Sequence, residues 1–236
     1  MGRFTCVDPL AEKYYSWSPY AYVMNNPLKY IDPDGRDIIV LRNSAGAGPG
    51  NLVEHAAVLI GNNDKGWTYI SKDGYAGISL GSQSKYVVQS FKTLDDFSNS
   101  PHNFELNSGT HSTTSGDSAK DFDFKLDADG NKIQRYDKAL LIETTQKDGS
   151  STDARAIDAA TVSGRKDYAL TINDCSDVVT SALDVSKNSQ GNQVKTGESK
   201  FGGFFNGERP NRKFNLIEKR NAEDAQRIDD KLKPKN

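Results

Sequence analysis

The segment EHAAVLIGNNDKGWTYIS, beginning at Glu54, limits the possible folds more than any other stretch of the chain. An apolar run, a polar Asn/Asp/Gly turn and a second apolar run spell two antiparallel strands joined as a hairpin. The run AAVLIG has no polar face, so the sequence predicts an innermost strand buried on both sides. His55 opens that strand, where an imidazole without a partner or a cleft costs free energy.

Further strands are predicted at DIIVLR from Asp37 and at Lys85 to Phe91, with a Gly-rich loop from Asn43 to Asn51 between the first two. TLDDFSNS from Thr93 reads as a capped turn or short helix, and Ser98 to Gly116 as a long loop. DFDFKLDADGNKIQRYDKALLIETT alternates about an Asp-Gly turn and reads as a hairpin whose second arm becomes a buried strand. STDARAIDAATVSG is predicted helical, capped by Ser151 or Thr152, with Ala156, Ile157, Ala160 and Val162 toward the core. TINDCSDVVTSAL is a second helix, capped by Asn173 or Asp174, with Val178, Val179, Ala182 and Leu183 as its apolar flank. A polar linker is expected from Ser186 to Lys200. FNLIEKRNAEDAQRIDDKLK is expected to form a terminal helix with a frayed basic end.

Cys175 thus falls in the first turn of a helix, where unpaired N–H groups and the helix dipole favour thiolate. Asp174 and Asp177 oppose that charge, so a histidine is needed to activate the sulfur. His55 and Cys175 together are the pair from which a nucleophile and its base can be built. The competing reading makes Cys175 a small packing residue and His55 a strand histidine bonded to backbone. Ser71, on the strand that pairs with the His55 strand, is the first candidate to orient the imidazole, and Asp73 the next. The N–H of Cys175 is one candidate oxyanion donor and the Asn173 side chain another.

The 236 residues suffice for one sizeable core with appendages, and a formal net charge of -2 gives no general attraction to nucleic acid. No apolar run approaches the length needed to span a bilayer, so no stable membrane insertion is expected. No secretory signal follows Met1, and export is expected to use another route. Two cysteines, Cys6 and Cys175, are too few for a disulfide scaffold or a four-cysteine zinc site. His102 and His111 read as exposed loop histidines, and AGAGPG lacks the Lys-Ser/Thr of a phosphate loop. DADGN at Asp127 reads as a hairpin turn, since its Gly and closing residue do not match a calcium-binding loop. No metal or organic cofactor is expected.

The first 36 residues have a different texture: Tyr14, Tyr15, Trp17, Tyr20, Tyr22 and Tyr30 lie among Asp8-Pro9, Asn26-Pro27 and Asp32-Pro33-Asp34-Gly35 turns. With its paired DP elements, SPYAYVMNNP and IDPDG, this segment resembles the end of an RHS repeat-associated core. The resemblance implies that residues beyond Arg36 are the payload of a polymorphic toxin, secreted or delivered into a target cell and matched by a cognate immunity protein. In relatives the two DP aspartates, here Asp8 and Asp32, self-cleave the chain. Arg36 replacing the usual Leu, and DPLA replacing DPxG, weigh against cleavage here.

A His-bearing strand before a Cys-bearing helix, with HAAVLIG and NDCSDVV as its motifs, resembles the permuted NlpC/P60 papain-like superfamily over roughly residues 37 to 185. The resemblance implies an α+β fold, an antiparallel sheet packed on the Cys175 helix. It further implies a thiol hydrolase or acyl transferase acting on peptidoglycan stem amides first, lipid acyl groups or peptides second. The expected organisation is therefore core remnant 1–36, cysteine hydrolase domain 37–220 and helical basic tail 221–236. The alternative is a non-enzymatic binding or adhesive module at the end of an RHS shell.

Overall fold

Four consecutive apolar residues, Ile38 to Leu41, sit in β1 (Asp37–Ala47) and are all essentially inaccessible, as a strand covered on both faces requires. Around it lie β2 (Val53–Asn62), β3 (Gly66–Asp73), β4 (Lys85–Phe91), β5 (Lys138–Ile142) and β6 (Ala225–Arg227). They form a six-stranded sheet of order β4-β3-β2-β1-β5-β6 in which every neighbouring pair is antiparallel. The helices are α1 (Leu94–Ser98), α2 (Thr152–Arg165), α3 (Cys175–Asp184) and α4 (Pro210–Arg220). This α+β architecture is seen in a computed structural model that describes residues 37–47, 53–73, 85–107, 122–144, 152–167, 174–188, 190–196 and 210–234. All of them belong to the unit Arg36–Asn236.

The β2–β3 hairpin is the one expected. Its turn is closed by Asn62 Oδ1, which accepts from the N–H groups of Asp64 and Lys65. A Cβ on Gly61, whose φ is +144°, would stand 2.1 Å from the Gly66 carbonyl oxygen, so only glycine fits there.

Period-two alternation divides the core into two clusters. On face one, Ile38, Val40, Ala56, Val58, Ile60, Ile70, Leu140 and Ile142 pack with residues of α2, α3 and α4. On face two, Ile39, Leu41, Ala57, Leu59, Trp67 and Tyr69 pack with Phe97 of α1, Tyr136, Ile228 and Leu232. Each fully buried Leu or Ile contributes roughly 1.5–3 kcal/mol of apolar transfer.

Several expectations are corrected. β1 runs on to Ala47, through the first part of the expected Gly-rich loop, with a register shift between Asn43 and Ala47. Val162 is 46% exposed, because it lies two residues, or about 200°, from buried Ala160; Ala156, Ala160 and Ser163 form the covered side instead. The terminal helix stops at Arg220, and the expected helical tail contains strand β6 and a 3-10 turn at Asp229–Leu232 whose Leu232 is buried. The linker after α3 is folded back: Gln193 Nε2 donates to the carbonyls of Leu183, Asp184 and Ser186 at the helix end. His102, expected in an exposed loop, is 6% exposed and stacks near Tyr69. The DADGN segment is a turn, with Leu126 bridged to Lys132 and Gly130 at φ +84°.

Candidate active site

The first turn of α3 is built by reciprocal capping. Asp174 Oδ1 accepts from the Ser176 N–H at 2.7 Å, and Asp177 Oδ2 accepts from the Asp174 N–H at 2.7 Å. Asp174 is therefore the cap, and Cys175 the first helical residue. Its side chain belongs to the face-one cluster and is 2% exposed.

Opposite, β2 and β3 pair only as far as Ala57 and Ser71, so Ala56 and His55 lie beyond the last rung of that ladder. Ala56 and Cys175 pack in the same cluster, and the Ala56 backbone favours the charged form of the sulfur. The thiol therefore sits against the peptide that immediately follows His55.

His55 shares the parity of Ala57 and Leu59, whose side chains lie on face two. Its Nε2 is 2.9 Å from Ser71 Oγ and 3.6 Å from Asp73 Oδ1, and its ring centroid is 5.9 Å from that of Tyr136. Asp73 Oδ1 in turn accepts from Arg135 Nη2 at 2.6 Å. Tyr69 and Tyr136 are joined through their hydroxyls at 2.6 Å. The structure thus brings His55, Ser71, Asp73 and Arg135 together, and sets Cys175 in the cluster on the other face. Among the described residues no hydrogen bond joins the imidazole to the thiol. Because Ser71 and Asp73 both approach Nε2, these residues do not form a serine triad, which needs the carboxylate on the opposite ring nitrogen.

Both groups are held neutral. Burial, then the Arg135 charge, lowers His55 to about 3, with Asp73 pulling weakly the other way. Burial raises the Cys175 thiol far above its ordinary value, helped by the Asp174, Asp73 and Asp177 charges and countered by the Ala56 backbone. The expected thiolate is therefore a neutral thiol here, because loss of water outweighs the helix terminus.

Asn173, the second oxyanion candidate, and Asp8 and Asp32 of the DP elements lie outside the described residues, as does His111. Two residues passed over in the sequence belong to this region. Arg135, with its side chain 7% exposed, holds Asp73. Lys72, fully buried, donates from Nζ to the Ser163 carbonyl at 3.3 Å. Among the described residues no group of three or more His, Cys, Asp or Glu side chains is arranged to hold a metal ion, and no helix is long and apolar enough to cross a membrane.

Comparison with protein-family models, with curated proteins and with solved structures gave no match in any of the three.

Proposed function

We propose that the region from Asp37 onward acts as a cysteine-dependent hydrolase or acyl transferase of the permuted papain-like kind, borne as the toxin payload of an RHS protein. The observation that carries this reading is the packing of Cys175 in one cluster with Ala56, the residue after His55, at the place where β2 and β3 part. With Nε2 given to Ser71, Nδ1 is the ring nitrogen left to serve the sulfur. The end of β2 must turn to bring it there, since His55 rests on face two.

In the reaction, Sγ bonds to the carbonyl carbon of an amide or ester while its proton passes to His55 Nδ1. The same proton then goes to the departing amine or alcohol, leaving a thioester. Water, or another acceptor in acyl transfer, releases the acyl group. The neutral thiol and imidazole suit this order, in which charge develops only as substrate is attacked. Stem-peptide amides of peptidoglycan are the first substrate class and lipid acyl groups the second. The expected partner is a cognate immunity protein.

Burial of the thiol also favours a second reading, a binding module in which Cys175 is a core residue. Expression in bacteria with and without an added export signal separates the two. Growth arrest or lysis is expected chiefly with export, with stem-peptide fragments released from sacculi, and abolished by Cys175→Ala and by His55→Ala. Toxicity confined to the unexported form would replace the cell wall with a cytosolic substrate. Toxicity that persists in Cys175→Ala would overturn the thiol mechanism.

A further inference from the structure

We propose that Lys72 is the positioning cation of Cys175: its ammonium, enclosed with the sulfur on face one of the sheet, stabilises the negative charge that forms there when the thiol attacks. This rests on the hydrolase reading and adds a residue to its site.

The placement follows from strand parity. Ile70 of β3 packs in the face-one cluster, and Lys72, two residues on, projects to the same side, whereas Ser71 and Asp73 project to the side of His55. That side is covered by α2 and α3. The ammonium donates to the carbonyl of Ser163, near the end of α2, and is fully buried. From α3 it feels the charges of Asp177, Asp174 and Cys175, in that order.

A lysine is expensive in such a place. Burial favours its neutral form and so does nearby Lys166, while the two aspartates and the thiol favour the ammonium. Asp177 is also shared with Lys213 of α4 at 3.4 Å, and Asp174 spends one oxygen on the helix cap. A thiolate at Cys175 would add a further negative charge on the side of the sheet where the ammonium lies. His55 approaches from the opposite face and takes the proton; Lys72 keeps its own and answers the charge left behind. One residue moves the proton and the other balances the electron pair.

The test is the rate of Cys175 alkylation by iodoacetamide in the folded chain at neutral pH, read on the Cys175 peptide by mass spectrometry so that Cys6 does not interfere. Lys72→Met should slow alkylation about tenfold. Lys72→Arg, which keeps the charge, should restore the rate to within about threefold. An unchanged rate in a Lys72→Met protein that still melts cooperatively would overturn the proposal. If Lys72→Met does not fold, Lys72→Gln is compared in its place, and an unchanged rate there would overturn the proposal. The measurement does not use hydrolysis. Failure of the hydrolase reading, seen as toxicity surviving Cys175→Ala, is therefore distinguished from failure of the Lys72 assignment.

Discussion

Face one of the sheet buries Lys72 and Cys175 among aliphatic side chains, whereas face two sets His55, Ser71, Asp73 and Arg135 against the rings of Tyr69 and Tyr136. On face two, charges are answered within the cluster: Arg135 meets Asp73 directly, and His55, bonded to Ser71, is kept neutral by burial and the Arg135 charge. On face one, the lysine stands near carboxylates already engaged in capping α3 and pairing with Lys213. The contrast separates a polar group built for rigidity from one whose charge balance, in the proposed mechanism, changes when the sulfur ionises.

The strongest way to break the comparison is to unpair face two. Asp73→Asn leaves the Arg135 charge buried without its carboxylate and is expected to cost about 3–5 kcal/mol, measured by urea unfolding. Replacing Arg135 by Met in that background should recover much of the loss. Equal costs for the single and double variants would mean that the ion pair does not organise this face.

Acid comes next. The folded chain holds His55 neutral to about 3 and His102 to about 4, while unfolded histidine takes a proton near 6.5. The unfolded state therefore binds more protons below that pH, so stability is full above it and falls on acidification. The contribution of His102 is exhausted near 4 and that of His55 near 3. Between roughly pH 6 and 4.5 the slope should approach two protons, about 2.7 kcal/mol per pH unit. His55→Gln should remove one of them, and a slope unchanged by that substitution would show that the imidazole is not held neutral.

The smallest effect sharpens face one. Asp174→Ala removes the cap of α3 at about 1 kcal/mol and also removes the largest charge opposing the thiolate. Alkylation of Cys175 should therefore quicken in a slightly less stable protein, opposite in direction to Lys72→Met. Slower alkylation would mean that Asp174 supports the thiolate through the helix rather than opposing it through charge.

Much of this arrangement was legible in the sequence. The β2–β3 hairpin and the all-apolar AAVLIG strand were readable because hydrophobic periodicity and turn chemistry act locally. Ser71 could be placed beside His55 because hairpin register carries from turn to strand end. What escaped was long-range. Arg135 meets Asp73 across 62 residues of chain, and β6 joins the sheet although its sequence, AQR, carries no strand pattern. Tertiary pairing overrides weak propensity there. Lys72 was findable: in WTYISKD it follows Thr68 and Ile70 on the inward side, and a lysine at an inward position of a buried strand signals a partner. The opposed faces of His55 and Cys175 were also within reach. Parity places His55 with Ala57, but which face α3 would cover is settled only in three dimensions.

The late residues of the chain have a consequence for timing. β6 closes one edge of the sheet, and the Leu232 carbonyl accepts from Asn103 Nδ2 at 2.9 Å, a contact spanning 129 residues. Ile228 and Leu232 complete face two. A ribosome emitting this polypeptide has therefore already released β1 to β5 and the Cys175 helix before the residues that seal the sheet emerge. Contacts of such sequence separation make folding slow, because the entropy of closing the loops is spent before the pairing rewards it. The nascent chain stays unsealed until β6 and Leu232 have emerged, and that interval is when a chaperone can meet it first.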